Sequence, residues 1–162
     1  MITLYQYTSL NSHNSIRLLE LAPEDIRVPH IQCRIIKTNI EAARGKFLAI
    51  SYTWGEEEPR KTIYCDGNNT QLKISLNCYN MLHHLRHQHF TRTLWIDAIC
   101  INQGDKLERS SQVKIMGDIS HAAGHTVVFL GDSTPGSRIL FRHLTELIDT
   151  SPWAMTPDDF TN

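Results

Sequence analysis

A chain of 162 residues suits one domain and can bury about two-thirds of the surface that its unfolded form exposes, so no disulfide staple is required. Sixteen Lys and Arg stand against 17 Asp and Glu, and the longest like-charge run is Glu56-Glu57-Glu58, which excludes the basic footprint of a nucleic-acid-binding protein. The four cysteines, Cys33, Cys65, Cys78 and Cys100, form no C-x-x-C pair, which argues against a structural zinc site and predicts buried thiols in a reduced, cytoplasmic protein. Met1 to Gln6 lack a charged n-region and an h-region, and no apolar run approaches the roughly 18 residues of a membrane span.

In chain order, Ser15–Leu21 can make a short strand, Ala22-Pro23-Glu24-Asp25 is a turn signal, and the alternation in His30–Ile36 predicts a half-buried strand. Together they predict an antiparallel ribbon. Thr38 to Arg44 suits one helical turn ended by Gly45. Lys46–Gly55 is the first strong strand, with its polar residues at the C-terminal end. Thr62–Ile74 reads as a hairpin around Asp66-Gly67-Asn68-Asn69. Ser75 can cap a helix over 76–87 whose apolar positions include Leu76, Tyr79, Met81, Leu82 and Leu85.

Thr93–Ile99 is the second buried strand. Leu107, Ser111, Ile115, Ile119 and Ala122, joined by Val113 and Met116, mark one face of a helix over 107–123 that ends near Gly124. His125–Gly131 is the third strand. Pro135 suits the first turn of a helix over 137–148 carrying Ile139, Leu140, Leu144, Leu147 and Ile148. Residues 151–162 carry little periodicity and read as a mobile end or the start of a linker, which puts the domain at 1–150.

Strands and helices that alternate in this way predict an α/β fold: a parallel sheet with flanking helices, an N-terminal antiparallel ribbon and an inserted β-hairpin. In such a sheet the C-terminal strand ends share one edge, where ligands bind. That edge would gather Ser51, Tyr52, Trp54 and Gly55 with Asp97, Cys100, Asn102 and Gln103, and with Gly131 and Asp132. Trp54 beside Gly55 can stack a planar ring, and Asp97 can accept ribose hydroxyl protons. Glu108, in the first turn of the next helix, faces the same edge. A carboxylate beside an apolar wall can transfer a proton or stabilise a sugar cation.

Plainer readings exist for each residue. Asp97 can simply cap the turn that follows it, and Glu108 can serve the helix dipole and pair with Arg109 or Lys106. Trp54 and Trp95 can be core. Cys100 as a nucleophile lacks a companion His motif. His83 and His87 would share a helical face, yet the glutamate of H-E-x-x-H is absent, so no metal is assigned. P-loop, dinucleotide-fold glycine and G-x-S-x-G signatures are also missing.

Four separated blocks, Leu48–Gly55, Leu94–Gln103, Glu108–Met116 and Val127–Gly131, resemble in order the fungal heterokaryon incompatibility (HET) domain, whose core motifs would span 46–131 here. The Tyr5 to Leu21 segment is similar to the usual lead-in. The resemblance implies a module of fungal innate immunity, a self/non-self effector that triggers programmed cell death within a longer protein carrying other domains. It also implies a TIR-like or flavodoxin-like sheet, since HET domains are distantly similar to TIR domains.

Some TIR domains cleave NAD at the nicotinamide-ribose bond, and others assemble as scaffolds. Three functions follow for this chain: an NAD hydrolase with NAD as substrate and no resident cofactor, a non-catalytic homo-oligomeric scaffold, or a nucleotide-binding module without turnover. The TIR pattern places its catalytic glutamate after the third parallel strand, where this chain offers Glu146, whereas the HET motif supplies Glu108. The hairpin has no counterpart in a minimal TIR domain.

Overall fold

The computed structural model describes residues 3–55, 60–67 and 70–131. The helix expected over 137–148, with Glu146, lies outside them, as do Asp132 and the end segment 151–162. The described residues form, in chain order, β1 (Thr3–Leu4), β2 (Ser15–Leu21), β3 (Gln32–Asn39), α1 (Ile40–Ala43), β4 (Leu48–Tyr52), β5 (Arg60–Cys65), β6 (Thr70–Ser75), α2 (Leu76–Leu85), β7 (Arg92–Ile96), α3 (Asp97–Cys100), α4 (Lys106–Lys114), α5 (Met116–Ala122) and β8 (His125–Phe129).

All eight strands belong to one sheet in the order β1-β6-β5-β3-β2-β7-β4-β8. The expected parallel core is there: β4 lies between β7 and β8 and pairs with both in parallel, from Leu48↔Leu94 to Ile50↔Ile96 on one side and from Leu48↔His125 to Tyr52↔Phe129 on the other. The expected ribbon and hairpin also form. β2 and β3 pair antiparallel from Ser15↔Asn39 to Leu21↔Cys33, and β5 and β6 from Arg60↔Ser75 to Cys65↔Thr70.

Their placement corrects the picture of a parallel sheet with appendages. β2 runs antiparallel along β7 through Leu19↔Leu94, β5 lies parallel beside β3, and the sheet is therefore mixed. The cause is visible in β2 itself. Ile16, Arg17, Leu18, Leu19 and Leu21 are all buried, so side chains on both faces of this strand need cover. An inner position in a larger sheet supplies that cover, and a ribbon standing apart would not. Each fully buried aliphatic side chain here, Leu19, Leu94 and Ile96 among them, contributes about 1.5–3 kcal/mol.

Three local corrections follow. β7 ends at Ile96, not Ile99, because Asp97–Cys100 turn into a single helical turn closed by Ile101 N–H donating to the Asp97 carbonyl at 3.2 Å. α2 is capped as expected, with Ser75 Oγ accepting from Cys78 N–H at 3.3 Å, but it stops at Leu85. His87 lies beyond it, so His83 and His87 do not share a helical face. The His87 ring instead stacks on Phe90 at 3.4 Å.

The helix expected over 107–123 is divided at Ile115, whose φ of −104° and ψ of 7° interrupt the helical ladder between α4 and α5. The first half does not present the expected apolar face to the core. Leu107 is 85% exposed and Val113 is exposed, while Gln112 is buried and the Glu108 side chain is only 10% exposed. α4 thus turns polar groups inward. Only from Ile115 onward does an apolar set, with Ile119 and Ala122, face the core.

All four cysteines are buried free thiols, as expected. Among the described residues no helix is long and apolar enough to cross a membrane.

Candidate functional site

Of the groups that α4 turns inward, Gln112 donates from Nε2 to the Ser15 carbonyl at 3.1 Å, and Glu108 meets an arginine that comes from the middle of β2. Arg17 is 0% exposed. Its Nη1 and Nη2 donate to Glu108 Oε1 and Oε2 at 2.6 and 2.9 Å, its Nη1 also to the Cys100 carbonyl at 3.1 Å, and its Nη2 to the Thr8 carbonyl at 2.6 Å. The ring of Tyr7 covers the guanidinium at 5.0 Å. Glu108 Oε1 accepts one further bond, from Asn102 N–H at 2.7 Å. The sequence places Glu108 there because Asp105 caps α4, accepting from the N–H groups of Leu107 and Glu108 at 2.9 and 3.0 Å.

Burial pushes the Glu108 carboxyl up, but hydrogen bonds from Arg17 and Asn102 N–H and the Arg17 charge outweigh it, and the group is held below the usual carboxylate range. Glu108 is thus an ionised anchor. It joins β2 to the loop that begins at Ile101. The pairing with Arg109 or Lys106 considered from sequence does not describe it, because the partner comes from a strand far away in the chain.

In front of this anchor lies a cavity of about 280 Å³ at the C-terminal end of β4. Tyr52, Trp54 and Gly55 line it from β4 and its loop, Asn102 and Gln103 from the loop after α3, and Tyr7, Arg60 and Lys73 from the N-terminal segment and the hairpin. Among the described residues of this lining, both charged side chains are cationic. Trp54 is 47% exposed, so about half of the residue stands clear of the core. Gly55 has φ +72°, and a Cβ there would collide with the Asn77 amide, which donates to the Thr53 carbonyl at 3.2 Å.

Asp97 sits at the end of β7, behind Trp54. Its Oδ2 accepts from Trp54 Nε1 at 3.2 Å, its Oδ1 from Ala98 N–H at 2.7 Å, and its carbonyl from Gln103 Nε2 at 2.9 Å. Burial raises its carboxyl above the ordinary range, and the hydrogen bonds from Ala98 N–H and Trp54 offset only part of that. With Ser51, Tyr52 and Trp95 it lines a second, smaller cavity of about 160 Å³. Trp95 is 3% exposed, and its Nε1 has no hydrogen-bond partner among the described residues. Tyr52, whose buried Oη lies beside the Cys78 thiol and the Ser75 hydroxyl, borders both cavities.

The strand-end residues named from sequence therefore divide into three groups. Tyr52, Trp54, Gly55, Asn102 and Gln103 surround the larger cavity. Ser51 and Asp97 border the smaller one, with Asp97 tied to the larger through Trp54. Cys100 borders neither. It is fully buried, accepts from Ile96 N–H at 3.4 Å, and its thiol is pushed up to about 12 by burial, which keeps it protonated. Glu108 stands behind the cavity with both oxygens engaged.

Sequence reasoning missed Tyr7, Arg17, Arg60 and Lys73. Arg17 carried a signal, a lone cation inside Ser15-Ile16-Arg17-Leu18-Leu19, where a buried partner must exist. The other three carried none, because what places them at the cavity is strand pairing.

The fold and this edge define an α/β domain with a cavity built where two parallel strands end. A family model described as heterokaryon incompatibility protein (HET) matches residues 47–159, and the chain belongs to that family. It is 33% identical over 158 residues to "Heterokaryon incompatibility protein 6, OR allele" of Neurospora crassa, an alignment covering 89% of this chain and 23% of that protein. The chain thus spans about a quarter of the curated relative it matches. No solved structure matches it significantly.

Proposed function

We propose that this chain is an effector module of fungal self/non-self recognition that binds a nucleotide in the larger cavity and triggers cell death within a longer protein, with NAD as the ligand. The family and the name of the Neurospora relative support the recognition role. The observation that carries the ligand class is the cavity lining: an exposed indole for a planar base, cations Arg60 and Lys73 for phosphate, and the amides of Asn102 and Gln103 for hydroxyl groups. A volume of about 280 Å³ takes part of a dinucleotide, and the remainder would extend into solvent.

The reaction proposed is hydrolysis of the nicotinamide-ribose bond, in which NAD and water give nicotinamide and ADP-ribose. Among the described carboxylates, Asp97 is bonded to the wall of this cavity through Trp54 Nε1, and we propose it as the group the reaction uses; we assign Glu108 the positioning of the Asn102 loop. Engagement of both Glu108 oxygens favours a second reading, binding without turnover.

Incubating the purified protein with NAD, following nicotinamide release and measuring NAD binding by calorimetry separates the readings. Turnover abolished by Asp97→Asn supports hydrolysis with this site. Binding without nicotinamide release supports the second reading. Turnover that survives Asp97→Asn and stops with Glu108→Gln, in a protein still folded by circular dichroism, would return catalysis to Glu108. If no binding is seen while the protein self-assembles with rising concentration, the scaffold role replaces both.

A further inference from the structure

We propose that Cys33 and Cys65 are a redox modification site, two thiols that close to a disulfide under hydrogen peroxide and so staple the hairpin β5–β6 to strand β3. The inference stands apart from the nucleotide reading and rests on the sheet. Cys33 and Cys65 are register partners on adjacent parallel strands, and their sulfurs are 3.4 Å apart. Neighbouring strands lie about 4.8 Å apart, inside the Cα separations that a disulfide spans. Closure brings the two sulfurs from 3.4 Å to about 2.05 Å by side-chain rotation.

The place of the pair gives the bond its consequence. β3 and β5 meet through two register pairs, Gln32↔Tyr64 and Cys33↔Cys65, flanked by Tyr64 N–H donating to the Ile31 carbonyl at 2.9 Å and Asp66 N–H to the Cys33 carbonyl at 3.1 Å. β5, β6 and β1 all lie outboard of this short seam. The same outboard strands bring Arg60 and Lys73 to the larger cavity. A covalent bond at the seam thus holds one wall of that cavity to the rest of the sheet.

The two sulfurs share one hydrogen bond of 3.4 Å in which either can be the donor, and the accepting sulfur has its thiolate stabilised by it. That thiolate takes one oxygen from hydrogen peroxide to form a sulfenic acid, releasing hydroxide. The other thiol gives up its proton and its sulfur displaces the sulfenic hydroxyl, which leaves as water. In sum two thiols lose two electrons, one peroxide gains them, and one disulfide and two waters form. Cys33 is 6% exposed and Cys65 0%, so peroxide enters when the short seam opens, and reaction is slower than at a surface thiol.

The test holds the full chain in millimolar peroxide, denatures it, alkylates free thiols and maps a non-reducing digest by mass spectrometry. The expected result is a Cys33–Cys65 cross-linked peptide, an intact mass lower by about 2 Da, two alkylated thiols remaining, and a Tm higher by about 5 °C that a reductant reverses. Four alkylated thiols after prolonged exposure would overturn the proposal. So would oxidation of either thiol to a sulfinic acid without a cross-link, or a cross-link joining other cysteines. The digest of the unaltered chain decides this without a variant. Cys33→Ala, checked for fold by circular dichroism, should lose both the cross-link and the Tm shift, and a shift that persists in it also counts against the site.

Discussion

Arg17 and Glu108, 91 positions apart in the chain, meet through two parallel hydrogen bonds of 2.6 and 2.9 Å in a setting where the arginine has no exposed surface. A buried pair of this kind is costly to break from one side, because the remaining charge keeps its desolvation penalty and loses its partner. Glu108→Gln and Arg17→Met should each destabilise the fold by about 3–5 kcal/mol. The double variant Arg17→Met, Glu108→Leu should recover much of that loss. Urea denaturation of the three proteins checks both statements; equal, additive losses would mean that the pair is not coupled.

The same pair sets part of the response to acid. Glu108 has a folded-state pKa below its unfolded value of about 4.3, so it stabilises the fold above that value and its contribution is lost as pH falls through the folded pKa. Unfolding midpoints should therefore drop steeply below about pH 4.5, and Glu108→Gln should flatten that limb.

Asp97 has the opposite sign. Its folded pKa is raised by burial, so the stability tied to its neutral form is present below the unfolded pKa of about 3.9 and is lost as pH rises through the folded value. Asp97→Asn should hold or increase stability at pH 7 while it weakens nucleotide binding. A measured loss of both would show that the carboxylate is required for the fold.

Trp54 is half exposed at the cavity wall, so Trp54→Ala should change stability little. If a base stacks there, NAD affinity should fall about 5- to 150-fold, corresponding to about 1–3 kcal/mol. Lys73→Ala should weaken binding at low salt more than at high salt, since its attraction to phosphate is screened. Calorimetric titrations at two ionic strengths separate the two contributions.

Gly55 makes the turn of the same wall in a left-handed conformation. Gly55→Ala places a side chain at φ +72° and drives a methyl group into the Asn77 amide, and it should destabilise by about 1–3 kcal/mol. Asn77→Ala removes the obstacle but not the backbone strain, so Gly55→Ala in that background should cost less yet remain destabilising.

Much of the local structure was legible in the residues. The strands β4, β7 and β8 showed as apolar runs, the ribbon through the alternation in His30–Ile36, and the α2 start through Ser75, because each is set by near neighbours in the chain. Glu108 and Leu107 show where that legibility ended. Periodicity placed Leu107 inside, yet Glu108 is the residue drawn in, since a buried Arg17 on a distant strand outweighs one leucine's burial.

By itself the sequence determined where most of the described strands lie and where α2 begins, and that polar residues gather at the ends of two buried strands in the order of the HET family. Only the tertiary structure decided the mixed sheet order, the inward turn of α4 and the division of Asp97, Trp54 and Glu108 among cavity, wall and anchor. The reason is physical: hydrophobic period and capping act within a few residues, whereas strand neighbours and ion-pair partners are chosen by burial across the whole chain.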